Sequence, residues 1–157
     1  MLASENDVCR RLMTVPGVGP QCALTFYAVI DEPHRFRKSS DVGCYLGLTP
    51  TLRQSGLTEM RGRISKMGNR RLRSLLVQAS ISNMKWGDPE CALGQWKAQL
   101  EQRRGRPKAR IALARKLAVI MLALWKSGEN YQPFFDHERY GKQAGSDPDV
   151  LGAPVSV

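Results

Sequence analysis

The sequence predicts an all-α fold, in which a helical hairpin is followed by an irregular basic segment and three longer helices. Apolar residues recur at spacings of three and four over much of the chain. Capping residues stand before most of these stretches, and Gly or Pro stands after them. The apolar fraction is 42% over 157 residues and no internal repeat is visible, which is typical of one folded domain.

The first two helices are expected on either side of the segment PGVGP at residues 16–20. Ser4 is the predicted cap of the first helix. Its apolar stripe comprises Val8, Leu12, Met13 and Val15. The second helix is predicted from about Gln21 to Ile30, and residues 31–33, which read Asp-Glu-Pro, end it.

The middle of the chain is expected to be less regular. Ser39 or Ser40 is the predicted cap of a short helix through Leu46. Residues 47–67 have no clean period and contain Pro50 and three glycines. An irregular segment with room for a short hairpin is therefore predicted there.

A strong helix is predicted from Asn69 to about Met84. Its inner face comprises Leu72, Leu75, Leu76, Ala79 and Asn83. These positions step by three and four, as one face of a helix does, and Asn83 is the polar exception.

Two more helices complete the prediction. Asp88-Pro89-Glu90 combines a cap, a proline and an acid, which predicts a helix start, and this helix reaches about Arg104. The last helix is predicted from Pro107 to Gly128. Its half from Leu117 to Trp125 is apolar all round, which predicts the central helix of the core.

The predicted helical domain spans residues 1–135. The remaining residues, 136–157, have few large apolar side chains and several Gly and Pro. Such a composition cannot bury enough apolar surface to offset the entropy of ordering, so a disordered tail is predicted.

Charge favours a polyanionic partner. The chain carries +10, and residues 1–128 hold 22 basic and 9 acidic residues, a net +13. Nucleic acid is the first expectation, and DNA in particular. An anionic membrane surface competes, but it needs a basic helix with an exposed apolar face, and the apolar run of residues 117–125 is too short to span a bilayer.

The cysteines predict no chemistry. Four cysteines lack CxxC spacing and lie far from both histidines, so neither a zinc site nor any other metal site is expected. The N-terminal residues show no apolar signal core. A reduced, cytoplasmic protein with no cofactor of its own is predicted.

The turn at residues 16–20 has the pattern of a phosphate contact. The window from Leu12 to Phe26 resembles the helix-hairpin-helix module of DNA-binding and repair proteins. Gly17, Val18 and Gly19 are the residues of this turn that are predicted to bind DNA. The two glycines let the backbone approach another surface, and Val18 is expected between the two helices. N–H groups at the start of the second helix can then bind a phosphate, without reading bases. A plain turn between two helices is the alternative.

The basic segment Thr49–Arg73 has seven Lys or Arg and one acid around Ser55. A serine hydroxyl can attack a DNA phosphodiester if guanidinium groups neutralise the charge that develops on phosphate. The residues predicted to contact DNA here are Arg53, Arg61, Arg63, Lys66, Arg70, Arg71 and Arg73. Ser65 is the rival nucleophile, although its surroundings are typical of a turn before a helix. Ser55 as a simple turn residue is the other alternative.

Two further features each allow two interpretations. Residues 97–116 hold eight Lys or Arg and one acid, which fits either nucleic-acid backbone contacts or a solvated helix pair. Trp86 and Trp96 can stack on bases, although core packing is the favoured prediction for both.

Several ordered blocks resemble one family. They are VPGVGP at 15–20, the stretch from Phe36 to Ser39, YLGLTP at 45–50, Ser55-Gly56, GRISKMGN at 62–69, Leu72-Arg73 and ARKL at 114–117. Their order is similar to that in the C-terminal domain of the DEDD-type insertion-sequence transposases, which are bridge-RNA-guided recombinases. The resemblance covers roughly residues 10–134, and Leu57 departs from the small or polar residue that often follows Ser-Gly there.

The resemblance implies a role for Ser55 as the serine nucleophile, because the family serine precedes the Ile-Ser-Lys block. It also implies a RuvC-like N-terminal domain with four carboxylates and divalent metal, a guide RNA and a homo-oligomer for the full-length protein. No carboxylate constellation of that kind is expected in this chain. An excised domain or a truncated transposase is therefore predicted, and the chain alone is not expected to cut DNA.

Two other functions remain open from the residues. The chain can be a non-catalytic helix-hairpin-helix module that only binds DNA. It can also be an oligomerisation domain whose apolar helices pair with another subunit. Both would use the same helices without chemistry at Ser55.

Overall fold

The computed structural model describes residues 2–55 and 58–133, without the side chains of residues 51–62. Its elements are α1 (Asp7–Leu12), α2 (Pro20–Ile30), α3 (Asp41–Tyr45), β1 (Pro50–Ser55), β2 (Thr58–Ile64), α4 (Arg70–Trp86), α5 (Ala92–Arg104) and α6 (Arg106–Ser127). Single 3-10 turns lie at Ala3–Glu5 and Pro33–Arg35. The predicted all-α class is confirmed, since the described chain is mainly helical. The predicted tail at 136–157 lies outside the described residues.

Helix α6 is the centre of the core. Its residues from Ala112 to Leu124 are all buried, and it packs against α1, α3, α4 and α5. Because every face of this stretch is covered, its apolar residues need no 3.6-residue period. The central position predicted for residues 117–125 is confirmed. Gly105 and Gly128, with φ of 82° and 76°, end α5 and α6 as predicted.

Two predicted helix starts are wrong. Asn6 caps α1 in place of Ser4, because its Oδ1 accepts from the N–H groups of Val8 and Cys9 at 2.9 and 3.1 Å, while Ser4 lies within a 3-10 turn. Cys91 caps α5 in place of Asp88.

The Asp88 error has a local cause. Asp88 Oδ1 accepts from the N–H of Glu90 at 2.9 Å, so the side chain closes a turn of its own before the helix begins. Cys91 Sγ then accepts from the N–H of Gly94 at 3.3 Å. The helix therefore starts three residues after the Pro89 that was expected to open it.

The remaining boundaries lie close to prediction. Asn69 caps α4 through a 2.8 Å bond from the N–H of Leu72 to its Oδ1. Ser40 precedes α3 but makes no side-chain cap hydrogen bond. Residues 47–67 contain the short hairpin for which the prediction left room, because β1 and β2 pair antiparallel with an irregularity between Pro50 and Leu52. Pro50 begins β1, where a missing N–H is tolerated.

Candidate nucleic-acid interface

The turn between α1 and α2 is fixed against α4. Gly17 has a φ of 95°, and a Cβ added there would lie 2.5 Å from the carbonyl oxygen of Ala79 and 3.0 Å from the backbone nitrogen of Asn83. The Nδ2 of Asn83 donates to the carbonyl oxygen of Pro16 over 2.7 Å. The small size of Gly17 therefore permits packing of the turn on α4, in addition to any role toward phosphate.

Val18 and Gly19 occupy different environments. Val18 is 6% exposed and belongs to the core, as predicted. Gly19 precedes α2 at its cap position, and no heavy atom lies within 4 Å of a Cβ built there. Pro20 and Gln21, the first residues of α2, are exposed. Of the three residues predicted for phosphate contact, Gly19 therefore has the open surroundings that a ligand needs.

Asn83 also receives a buried lysine. Lys97 is 8% exposed, and its Nζ donates to the carbonyl oxygen and to Oδ1 of Asn83 at 2.6 and 3.0 Å. Burial is the largest influence on Lys97 and lowers the pKa of its ammonium group. The sequence feature that pointed to this network is Asn83, a polar residue on the otherwise apolar inner face of α4.

The root of the hairpin is docked on the end of α3. The N–H of Ser65 donates to the Thr49 carbonyl at 3.0 Å, and the N–H of Lys66 donates to the Gly47 carbonyl at 3.1 Å. A Cβ at Gly47 would lie 2.2 Å from the carbonyl oxygen of Met67. The segment after β2 therefore fits closely against the residues that follow α3, and this contact orients the hairpin relative to the helices.

Ser55 is the last residue of β1. Its Cα partner in the register is Thr58, while Arg53 pairs with Met60 and Leu52 with Arg61. A strand rises ~3.3 Å per residue, so Ser55 lies on the order of 17 Å along β1 from Pro50. The side chains of Ser55, Arg53 and Arg61 lie outside the described residues.

Ser65 lies at the other end of the hairpin. Its Oγ accepts from the N–H of Met67 at 3.5 Å, a contact within a turn. Lys66, between them, has a φ of 56°. This geometry agrees with the turn interpretation of Ser65.

The cations near the start of α4 fall into two groups. Arg70 and Arg71 are exposed, as are Arg63 and Lys66 before them. Arg73 is half-buried, and its Nη1 donates to the carbonyl oxygens of Leu46 and Met67 at 3.3 and 3.2 Å. The first turn of α4 contains no acid, so its positive end faces cations alone. The exposed arginines are placed to meet an anion, whereas Arg73 fastens the hairpin root.

A further basic residue was not predicted. The Arg35 guanidinium lies 4.7 Å from the ring centroid of Tyr45 and 5.1 Å from that of Phe36. Tyr45 is 42% exposed. The sequence separates Arg35 from Tyr45 by ten positions, so only the fold brings this pair together.

The cluster at 97–116 divides between surface and core. Arg103, Arg104, Arg106 and Lys108 are exposed around the turn from α5 to α6, whereas Lys97, Arg115 and Lys116 are buried. Burial lowers the pKa of Lys116 to about 8, and its Nζ lies 5.5 Å from the ring centroid of Trp96. Neither of the two interpretations left open for this cluster, backbone contacts or a solvated helix pair, fits these three buried residues.

The two tryptophans also differ. Trp96 is 7% exposed and packs in the core, as favoured. Trp86 is 77% exposed at the end of α4, so core packing is wrong for it.

Within the described part of the chain, no group of three or more His, Cys, Asp or Glu is placed to hold a metal ion. The same residues include no helix that is long and apolar enough to cross a membrane.

Comparisons with known proteins bear on these features. Residues 9–93, more than half of the chain, match the model of the Transposase IS116/IS110/IS902 family. The chain is 37% identical over 134 residues to the transposase for insertion sequence element IS1111A of Coxiella burnetii, covering 83% of this chain and 36% of that protein. It is 36% identical over 135 residues to a putative transposase, y4pF/y4sB, of Sinorhizobium fredii, with 83% and 34% covered.

A probable family 20 transposase of Pseudomonas aeruginosa is 32% identical over 125 residues, which cover 79% of this chain and 37% of that protein. The chain thus spans about a third of the length of these relatives. The matched residues include part of α1, all of α2 to α4, the hairpin and the turn at Gly17–Gly19. The chain belongs to the IS116/IS110/IS902 family of transposases.

Proposed function

We propose that this chain is the DNA-binding and strand-exchange part of an insertion-sequence transposase, with Ser55 as its nucleophile. The observation that carries the proposal is the hairpin. Ser55 is the last residue of β1, and the exposed cations Lys66, Arg70 and Arg71 follow β2 at the root of the hairpin. A DNA strand along this hairpin would meet positive charge at the root and the Ser55 hydroxyl at the other end, on the order of 17 Å along β1. The guanidinium charge that attack on phosphate requires is therefore assigned to the hairpin itself, where Arg53 is two positions from Ser55.

DNA is held by contacts that do not read sequence. The open start of α2 at Gly19 receives one phosphate through backbone N–H groups and the helix dipole. Lys66, Arg70 and Arg71 receive others through charge. Arg73 supports this surface from behind, because it fixes the root of the hairpin through the carbonyls of Leu46 and Met67.

In the chemical step, the Oγ of Ser55 loses its proton to a general base and forms a bond to phosphorus. The bond from phosphorus to the leaving oxygen breaks, and that oxygen takes up a proton. The product is a phosphoserine, which keeps a phosphodiester bond for rejoining by the reverse step. The register places position 53 on the same hairpin face as position 55 and position 61 on the opposite face. Arg53 is therefore the better choice to neutralise the pentacoordinate phosphate.

The complete activity belongs to a longer protein. Since the chain spans about a third of its relatives' length, we assign cleavage to a full-length transposase in a homo-oligomer. The family resemblance adds a guide RNA and a RuvC-like domain with divalent metal outside these residues. The non-catalytic binding module makes the same duplex contacts, and it differs only in having no chemistry at Ser55.

The binding half of the proposal predicts that this chain binds duplex DNA with little sequence preference. Affinity, measured by fluorescence anisotropy, falls by roughly 10³-fold or more between about 50 and 200 mM salt if six or more phosphates are neutralised. Two duplexes of unrelated sequence serve as matched probes. Affinity that stays constant over this salt range, or that follows one sequence, would contradict the proposed contacts.

A further inference from the structure

Arg35 and Tyr45 form an exposed stacking pair outside the predicted DNA-binding residues. The guanidinium carbon of Arg35 is 4.7 Å from the Tyr45 ring centroid, and the Tyr45 and Phe36 rings meet edge to face at 5.3 Å. Arg35 is exposed and Tyr45 is 42% exposed. A planar cation and an aromatic ring are thus presented together at the surface.

The pair is held in place from below. Phe36 is 8% exposed, and its carbonyl oxygen accepts from Lys126 Nζ of α6 at 2.6 Å. Tyr45 ends α3, and a Cβ added at Gly68 would lie 2.3 Å from its carbonyl oxygen. Both partners therefore sit on fixed backbone, so little conformational freedom is lost when a ligand stacks on them.

The surrounding charge is mainly positive. Arg37 and Lys38, which follow Arg35, are exposed. Lys66, Arg70 and Arg71, on either side of Gly68 in the sequence, are exposed as well. The exposed acids on the Arg35 side are Asp31, Glu32, which accepts from the N–H of His34, and Asp41, which accepts from that of Lys38. They balance Arg35, Arg37 and Lys38, so the excess positive charge comes from Lys66, Arg70 and Arg71, which suits a ring whose stacked nucleotide places its phosphates on that side.

Trp86 provides the contrast. It is also exposed, with Lys85 Nζ 4.9 Å from its ring centroid. However, Asp88 and Glu90 are exposed just after it. It also lies sixteen residues along α4 from Arg70, which is ~24 Å from the basic surface. The charge near Trp86 opposes a polyanion, so exposure alone does not make it an equivalent site.

We propose that Arg35 and Tyr45 bind an unpaired nucleotide, whose base stacks on the pair while its phosphates meet the adjacent cations. Bases inside a duplex have both faces covered, so only a base outside the stack can reach such a surface. The inference deepens the proposed DNA-binding function and rests on it. DNA and RNA strands share this stacking chemistry.

The test compares a labelled duplex with the same duplex carrying a single-stranded overhang of DNA or of RNA, using the 157-residue chain. The overhang is expected to raise affinity about tenfold. Tyr45→Leu removes this gain in affinity because the aromatic ring is lost. Arg35→Lys removes it because the planar guanidinium is lost. Tyr45→Phe retains it. Duplex affinity changes less than about twofold in all three, since charge is unchanged.

Stacking is read independently with 2-aminopurine in the overhang, whose fluorescence is quenched on stacking. Quenching is expected with the parent chain and with Trp86→Leu, the matched control, and not with Tyr45→Leu. The larger gain, with DNA or with RNA, identifies the strand. Equal affinity for duplex and overhang, or an overhang gain that survives Tyr45→Leu, would overturn the inference. Absence of duplex binding would instead refute the proposed function.

Discussion

Asn83 joins three parts of the molecule through one side chain. Its Nδ2 donates to the Pro16 carbonyl, and its Oδ1 and carbonyl oxygen accept from Lys97 Nζ. An amide suits this position because it offers a donor on one side and an acceptor on the other. The buried ammonium group of Lys97 needs such acceptors, since an unpaired buried charge is strongly destabilising.

Asn83→Ala is expected to lower the free energy of unfolding by about 2–3 kcal/mol, because it leaves the Pro16 carbonyl and Lys97 each short of a partner. Urea denaturation measures the change. Gln78→Ala, at an exposed position of the same helix, should change stability by less than about 0.5 kcal/mol. Equal, small effects of both substitutions would show that the network contributes little.

Lys116 predicts a rise in stability at alkaline pH. Burial lowers its pKa from 10.5 to about 8, so the unfolded chain binds more protons than the folded one between these values. Stability contributed by this group is therefore gained as pH rises from about 8 to 10.5. At ~1.4 kcal/mol per unit, the gain is at most about 3 kcal/mol.

Lys116→Met should remove this rise and stabilise the chain at neutral pH. Urea midpoints of the parent and the variant, compared at neutral pH and near pH 9.5, measure both effects. The comparison between the two proteins cancels the titration of other groups. A parent chain whose midpoint does not rise relative to that of Lys116→Met would contradict a buried, charged Lys116.

At the scale of elements, the spacing of apolar residues and the positions of Gly, Pro and capping residues predicted most of the fold. Helix α4 follows from apolar steps of three and four, and α6 ends at the glycine that was expected to close it. The sequence left room for a short hairpin in residues 47–67 without giving its strands, because pairing between β1 and β2 depends on contacts across the two strands. The start of α5 was misplaced because Asp88 can close a turn as well as cap a helix.

The site was less accessible to prediction than the fold. Gly17 was recognisable as a turn residue, but its contact with α4 joins positions more than sixty residues apart. Arg35 carried no local signal, since its partner Tyr45 comes from another segment. Arg73 was predicted as a DNA contact from charge alone, while its contacts with two backbone carbonyls depend on the fold.

The turn between α1 and α2 separates packing from binding. Gly17→Ala is expected to lower the free energy of unfolding by more than about 2 kcal/mol, because its Cβ would meet the Ala79 carbonyl oxygen at 2.5 Å and its φ is 95°. Gly19→Asp and Gly19→Asn should instead keep stability or raise it by a few tenths of a kcal/mol, since both residues cap helices slightly better than Gly.

DNA affinity distinguishes the two Gly19 variants. Asp adds a negative charge at the proposed phosphate site and should weaken duplex binding about tenfold, whereas Asn, of nearly the same shape, should weaken it less. Anisotropy at one salt concentration measures both, and thermal melting verifies that each variant is folded. Equal DNA affinities of Gly19→Asp and Gly19→Asn would contradict a phosphate-binding site at the start of α2.

At the scale of the whole molecule, the described residues combine a helical body with exposed cations beside the root of the hairpin. Core helix α6 supports α3 and α4, which hold the root of the hairpin between them. Residues 1–128 carry +13, and Arg115 and Lys116 place part of that charge inside the core. The net charge therefore overstates the charge available to a polyanion, and the exposed cations around residues 35–38 and 63–71 are the part that the proposed DNA contact would use.

We assign strand exchange by Ser55 to a complete transposase that carries this domain. Ser55→Ala should abolish cleavage while DNA binding changes less than about twofold, because the hydroxyl contributes little to ground-state affinity. Ser65→Ala should retain cleavage, at a stability loss of ~0.5–2 kcal/mol for a turn or cap. Arg53 substitutions should slow cleavage more than Arg61 substitutions.

The most direct measurement traps the covalent protein–DNA adduct on a nicked suicide substrate and maps it by mass spectrometry. A phosphodiester linkage on Ser55 is expected, formed by the parent and by Ser65→Ala but not by Ser55→Ala. An adduct on Ser65 or any other residue, or cleavage without a covalent adduct, would contradict it.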